Sequence, residues 1–248
     1  MFKYSSRFWL YAPTGVFLLL AATAMLHWWM LASAFEKKLA ALKGNQAIPG
    51  LFLDWDKVEL GGFPFRLDAD FVNLHVQGVA AHGAFSWKTE KFAAHSLTYG
   101  RRQTVYEAAG RQSLQWTDAK GGPHAASFIP GSLHASSVED ARGLRRADLD
   151  IVDLGSKDFV IGRAQFHMRR DPDGKDLDLM LRLENWGARK EVQVYATLTN
   201  AQAFEALLQC AQAWPEAAAA WKAQGGKAKL SQVVAPGLDP ETLLAPLY

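Results

Sequence analysis

The chain has 248 residues, 49% of them hydrophobic, and a formal net charge of only +2, which is material for one medium-sized domain plus an apolar segment. Its pI of about 8.6 comes without long Lys/Arg runs, so the basic stripe that displaces counterions from nucleic acid is missing and no nucleic-acid partner is expected. Cys210 is the only cysteine, which excludes an intramolecular disulfide and any metal site built on paired cysteines.

The first element is the run from Phe8 to Phe35, which holds no permanently charged side chain and only His27 as a titratable residue of note. A helix rises about 1.5 Å per residue and needs about 20 apolar residues to cross a hydrocarbon core about 30 Å thick. The run meets that length with room for tilt. Trp9 and Tyr11 mark one end and Trp28 and Trp29 the other, as in a spanning helix with rings at both headgroup levels. Pro13 falls in the first turns, where a missing donor costs little. The reading divides the chain into a short cytoplasmic tail (1–7), a transmembrane signal anchor (8–34), a juxtamembrane helix and linker (35–50) and a β-rich extracytoplasmic domain (51–248). A competing reading is a signal peptide cut after Ala34, because Ala32-Ser33-Ala34 is a small-x-small pattern, but the apolar run exceeds a usual signal-peptide core. Lys3 and Arg7 precede the run and Lys37, Lys38 and Lys43 follow it. Charge count therefore leaves orientation open, and the short basic tail points to a cytoplasmic N-terminus.

After the span, Glu36 to Leu42 continues the helical pattern, and Gly44-Asn45-Gln46 with Pro49-Gly50 reads as a helix stop and linker. From Phe63 the apolar residues alternate through Phe65, Leu67, Ala69 and Phe71, with Arg66, Asp68 and Asp70 between them, which predicts a half-buried strand. The parity then changes to Val72, Leu74 and Val76, as a β-bulge near Phe71 would produce. Shorter strands are predicted around Phe85-Trp87, Leu97-Tyr99, Thr104-Tyr106, Leu114-Trp116, Leu149-Val152, Phe159-Ile161 and Val192-Leu198. Ala164, Phe166 and Met168, the turn Asp171-Pro172-Asp173-Gly174, and Leu177, Leu179, Leu181 and Leu183 form a hairpin signature. From Asn200, a plausible N-cap, Phe204, Leu207, Leu208 and Ala211 share a helical face. A second helix starts at Pro215 and runs through Trp221 to Gly225-Gly226, placing helices at about 201–224. A last strand around Lys229 to Val234 leads to a tail with Pro236, Pro240 and Pro246. The predicted fold is mainly β with α additions (α+β): one N-terminal transmembrane helix, a curved antiparallel sheet, and a helical segment near the C-terminus.

The anchor, the segment from Trp55 through Gly61-Gly62-Phe63-Pro64-Phe65-Arg66-Leu67, and Leu97-Thr98-Tyr99 together resemble the bacterial domain-of-unknown-function family 2125. The core is GFPFR (Gly62, Phe63, Pro64, Phe65 and Arg66), and the resemblance covers the anchor and first half of the chain, with a weaker echo from Trp221 to Gly226. Relative to that family the chain looks shortened past its first half. The resemblance implies an inner-membrane-anchored envelope protein without an assigned activity. A similar Gly-aromatic-Pro-Phe element occurs in some lipid-handling envelope proteins built from long curved sheets, an analogy that does not by itself give function. Read physically, Pro64 belongs at a strand start, with Phe63 and Phe65 as core anchors and Arg66 solvated.

Histidines at 27, 75, 82, 95, 124, 134 and 167 form no HExxH or similar ligand spacing, and convergence of His75, His82 and His95 across strands would lack paired carboxylates. No nucleophile elbow, phosphate loop or dinucleotide fingerprint is present, and Gly155-Ser156 lacks the flanks a nucleophile needs. Asp148, Asp150 and Asp153 beside Arg145 and Arg146 alternate with Leu149, Ile151 and Val152, which reads as the solvated face of a strand. The expectation is a non-catalytic protein with no cofactor and no metal. Its candidate apolar ligand face comprises Phe63, Phe65, Leu67, Phe71, Leu177, Leu179, Leu181 and Leu183. On that face it would bind or guide lipid-like molecules from the membrane, unless these residues simply pack on the helices after Asn200. The alternative is a structural or assembly subunit docking an envelope protein partner.

Overall fold

The computed structural model describes residues 6–80, 83–100, 102–118, 120–156 and 160–234. Helix α1 (Ser6–Leu42) is followed by β1 (Asn45–Ile48), β2 (Leu51–Asp54), β3 (Lys57–Gly61), β4 (Arg66–Ala80), β5 (Gly83–Leu97), β6 (Gln103–Thr117), β7 (Pro123–Phe128) and β8 (Ser132–Asp140). Then come β9 (Gly143–Gly155), β10 (Val160–Arg170), β11 (Leu177–Trp186), β12 (Arg189–Leu198), a 3-10 turn (Ala201–Phe204), α2 (Glu205–Leu208), α3 (Trp214–Ala223) and β13 (Ala228–Val234). The strands form one open sheet ordered β1-β2-β4-β5-β6-β8-β9-β10-β11-β12-β13, with β3 also on β4 and β7 also on β6. The mainly antiparallel β fold and the long N-terminal apolar helix are as expected.

Several details differ from the sequence reading. The linker expected before Leu51 contains β1, whose Asn45 and Gln46 pair with Leu53 and Phe52. Phe63 to Phe65 form a turn outside the strand, which starts at Arg66. Pro64 offers no ladder donor, and the turn is closed by the Arg66 amide donating to the Gly62 carbonyl at 2.8 Å. Phe85-Trp87 and Leu97 are two ends of β5, and Thr104-Tyr106 and Leu114-Trp116 two ends of β6. Phe159 and the tail prolines 236, 240 and 246 lie outside the described residues. The predicted first helix after Asn200 is only the 3-10 turn and α2, ending at Leu208. Asn200 itself is left-handed (φ 57) and makes no side-chain cap; its Nδ2 donates to the Gln224 carbonyl at 3.0 Å, tying the end of α3 to the start of the turn.

The parity change after Phe71 is the central feature of the sheet. It is not a slip of β4 against β5, because their register holds from Arg66↔Leu97 to Ala80↔Gly83. Instead both strands carry an extra residue at one level, Asn73 on β4 and Glu90 on β5, so that Phe71 and Leu74 are both buried. The adjoining register places these level with Gly110 on β6, Gly131 before β8, Asp153 on β9, Gly162 on β10 and Asn185 on β11. Asn73, Gly110, Asp153 and Asn185 have φ of 54, 78, 55 and 54, the left-handed region that only Gly, Asn and Asp enter routinely. Gly131 and Gly162 leave room for them, since a Cβ on either would stand 2.9 Å from the Asp153 carboxylate or the Asn185 amide. A seam of left-handed residues thus crosses the sheet, and each strand passing it returns its apolar side chains to the same face.

A buried polar clasp sits beside the seam. Gln112, fully buried, donates to Thr89 Oγ1 at 2.9 Å and to the Gly110 carbonyl at 3.2 Å, and accepts from Trp87 Nε1 at 3.1 Å. At one end of the apolar face, Phe35, Leu39 and Leu42 of α1 pack on Trp55, Ala69, Phe71 and Leu74. At the other, Phe204, Leu208, Ala217 and Trp221 pack on Met168, Leu177 and Leu198. Helix α3 also touches β4, and a Cβ on Gly50 would stand 3.1 Å from that of Ala213, so the two packed ends meet across the face.

Replacing Asp153 by valine forces a β-branched residue into the left-handed region and should cost about 1–3 kcal/mol, whereas Asp153→Gly should cost much less; chemical denaturation of both variants checks this. Gln112→Leu strands the Trp87 indole donor, while the Thr89 hydroxyl keeps its bond to the Lys91 carbonyl, and the same measurement should show a loss of about 1–3 kcal/mol.

Candidate apolar binding face

Directly paired residues of neighbouring antiparallel strands project to the same face, so the register alone shows what that face presents. One row runs Phe71, Phe92, Ala108, Leu133, Ile151, Ala164, Leu183 and Val192 across eight strands. The next runs Ala69, Ala94, Tyr106, Ala135, Leu149, Phe166, Leu181, Val194 and Val233. At about 4.8 Å between strands, eight strands make a continuous apolar track of roughly 34 Å. The only side-chain hydroxyl in either row is that of Tyr106, which bonds Ser137 Oγ at 3.0 Å.

Of this track the two helix-packed clusters take in Ala69, Phe71 and Phe92 at the α1 end and Phe166 farther along. Tyr106, Leu133, Leu149, Ile151, Leu181 and Leu183 belong to neither packed cluster. All but Leu133 are half-buried. Rings lead from the α1 end toward these residues: Trp55 meets Phe71 edge-on at 5.2 Å, and Phe92 stacks on Tyr106 at 6.0 Å. Farther along the strands, beyond the seam, a cleft of about 700 Å³ is lined by Phe52, Val79, Phe85, Trp116 and His124.

The opposite face is charged and internally paired. Asp68 accepts from His95 Nδ1 at 2.9 Å and lies 3.0 Å from Arg66. Asp148 contacts His167 Nδ1 at 2.6 Å, Arg146 Nε at 2.7 Å and Ser136 Oγ at 3.1 Å. Asp150 takes both Arg163 Nε at 2.8 Å and Nη2 at 2.9 Å. Burial pushes the Asp148 carboxyl up, but the bonds from His167, Arg146 and Ser136 prevail and hold it below the usual carboxylate range. The Arg163 guanidinium does the same to Asp150. Asp153, grouped with these by sequence, is a seam residue instead. His75 and His95 stand on opposite sides of the seam, bonded to Ser86 and Asp68, and His82 lies outside the described residues. Among the described residues no group of three His, Cys, Asp or Glu side chains is placed to hold a metal.

The eight residues expected to share an apolar ligand face separate into three sets. Leu67, Leu181 and Leu183 lie half-buried on the face, outside both clusters. Phe71, Leu177 and Leu179 are on the same face but covered by helix. Phe63 and Phe65 are not on it at all: they are 51% and 58% exposed in the turn before β4. They are not core anchors, because the turn gives their rings to Trp28 (5.6 Å, edge-on to Phe63) and Tyr99 (6.1 Å, edge-on to Phe65). Trp28 Nε1 also donates to the Arg66 carbonyl at 2.7 Å. The GFPFR element is thus the joint between α1 and the sheet.

Because the Asp148 carboxyl is depressed, its contribution is complete above the usual carboxylate range and is lost as pH falls through that range toward the depressed value. Asp148→Asn should lower stability at neutral pH by about 1–3 kcal/mol, with the gap to the unaltered protein closing as pH falls below the usual carboxylate range; thermal midpoints across pH measure it.

The comparison with protein families gives one match: the family described as "Uncharacterized protein conserved in bacteria (DUF2125)" matches residues 28–237. It takes in the GFPFR joint and both packed clusters of the sheet, well past the first half of the chain. No curated protein and no solved structure matches the chain. The match covers most of the chain, and the protein belongs to this uncharacterised bacterial family.

Proposed function

We propose that this protein is a single-pass, membrane-anchored envelope protein of the bacterial inner membrane. Its N-terminus is cytoplasmic and its sheet, in the periplasm, holds lipid-like molecules on its apolar face without catalysis. Support for the anchor begins with α1. Among the described residues one helix, Trp9–Leu42, is long and apolar enough to cross a membrane, with a mean hydropathy of 1.7 over an 18-residue window. Its first part is bare: Phe17, Leu19 and Leu20 are all more than 60% exposed. From Ser6 to His27 the helix is about 33 Å long, close to a hydrocarbon core. From Trp28 onward it is bound to the sheet, and Ala32 and Leu39 are buried. The Ala32-Ser33-Ala34 site lies inside that bound helix, which favours retention of the anchor over cleavage.

The observation that carries the lipid reading is the pair of apolar rows whose central residues belong to neither helix-packed cluster among the described residues. Each methylene laid on them would gain roughly 0.8 kcal/mol, so an acyl chain needs no polar recognition to be held. Contact of α3 with β4 brings the two packed ends together across that face. Its charged reverse face pairs its own side chains and suits solvent.

Native mass spectrometry of the detergent-extracted full chain should show co-purifying phospholipid or fatty acid. Leu149→Gln and Leu181→Gln, on the apolar rows, should reduce that occupancy severalfold, while Gln165→Ser on the reverse face of β10 should leave it unchanged. Lipid-free protein, or equal occupancy in all three variants with thermal midpoints maintained, would remove the reading.

A further inference from the structure

Most large apolar side chains exposed on the sheet are single, as is ordinary for a protein surface. One group is not. Phe63, Phe65, Leu97 and Tyr99 are 51%, 58%, 49% and 60% exposed and lie together. Leu97 pairs with Arg66 across the first rung of β4 and β5. Phe65 touches Tyr99, and its carbonyl accepts from both the amide and hydroxyl of Thr98 at 3.0 Å. The group is thus rigidly built, with two backbone segments tied at one carbonyl. Phe63 in turn rests on Trp28.

That contact fixes its level along α1. Trp28 is where the bare helix ends and the sheet-bound helix begins, and Leu26, Trp29 and Met30 beside it are 57%, 61% and 59% exposed. The apolar surface of the helix therefore runs without a break onto the two rings of the turn. Aromatic rings with an adjacent basic side chain are the composition favoured at the headgroup level; Arg66, 58% exposed, supplies the base while its guanidinium stays 3.0 Å from Asp68.

We propose that the Phe63–Arg66 turn and Leu97–Tyr99 form a foot that dips into the surface of the lipid bilayer spanned by α1. It seats the open end of β4 and β5 on that surface. The occupant is the bilayer itself, because the patch is continuous with the bare helix and at its boundary. This rests on the anchor reading above. The foot sets the tilt and height of the sheet, so that lipid could pass from the bilayer to Leu67, the first apolar side chain of β4, without crossing water.

The test uses the full chain with Cys210→Ser, carrying one environment-sensitive label at Leu19→Cys, Phe65→Cys, Tyr99→Cys or Ile129→Cys, in phosphatidylethanolamine–phosphatidylglycerol nanodiscs. Thermal midpoints confirm folding. The Leu19 label should be quenched by nitroxides deep in the acyl chains. The Phe65 and Tyr99 labels should show blue-shifted emission and quenching by nitroxides at the headgroup. The Ile129 label, at an exposed site far along the sheet, should respond only to a water-soluble quencher. If the Phe65 and Tyr99 labels behave like Ile129 while Leu19 stays in lipid, the foot is overturned and the anchor stands. Shielding of both foot labels from every quencher would show a protein partner there and also overturn it. A water-exposed Leu19 label would overturn the anchor and the foot together.

Discussion

Side chains on a strand alternate faces with a period of two, so a single extra residue would turn every later apolar side chain toward water. In this sheet seven strand segments carry a break at the same level, and none loses its apolar face. The break is tolerable because it is shared: Asn73 meets Glu90, Gly131 meets Asp153, and Gly162 meets Asn185, each pair aligned by the adjoining register. Where the backbone turns left-handed, an Asn, Asp or Gly stands, and two glycines clear the space beside Asp153 and Asn185. Everything described on the apolar face, from the aromatic steps at Trp55 to the valines of β12, requires that these breaks stay in step.

The two faces then divide the work of the domain. On one, carboxylates are met by arginine and histidine within about 3 Å, which lets Asp68 and Asp148 sit largely buried without an unpaired charge. On the other, α1 packs on the first strands of the apolar rows, and the Phe204–Trp221 cluster packs beside them on Met168, Leu177 and Leu198. Trp221 is fully buried and its Nε1 donates to the Thr199 carbonyl at 2.6 Å, so the cap is fastened at the end of β12 as well as packed on it.

Much of this architecture was legible in the amino-acid order. The apolar run of α1, the Ala164–Leu183 hairpin and the β-rich character follow from length and periodicity, signals that need no tertiary partner. The parity change after Phe71 was visible too, but its matching breaks were not, because a left-handed glycine or aspartate looks like any loop residue until register places it. For the same reason Tyr106, Leu149, Ile151 and Val192 were readable as strand residues but not as members of two adjoining rows, and Leu133 fell outside every predicted strand. Phe63 and Phe65 misled in the other direction. Their spacing continues the alternation of β4, yet the proline between them ends the ladder, and a strand pattern cannot show that a distant Trp28 and Tyr99 will claim the rings.

The seam also bears on how such a protein is recognised from its sequence. Its requirement falls on isolated positions, 73, 110, 131, 153, 162 and 185, separated by hairpin-sized intervals and drawn from a three-letter alphabet of glycine, asparagine and aspartate. A comb of that kind leaves no contiguous signature. Lengthening any one hairpin arm by a single residue would shift one tooth out of line with all the others, so insertions should be confined to the turns while the arms keep their lengths.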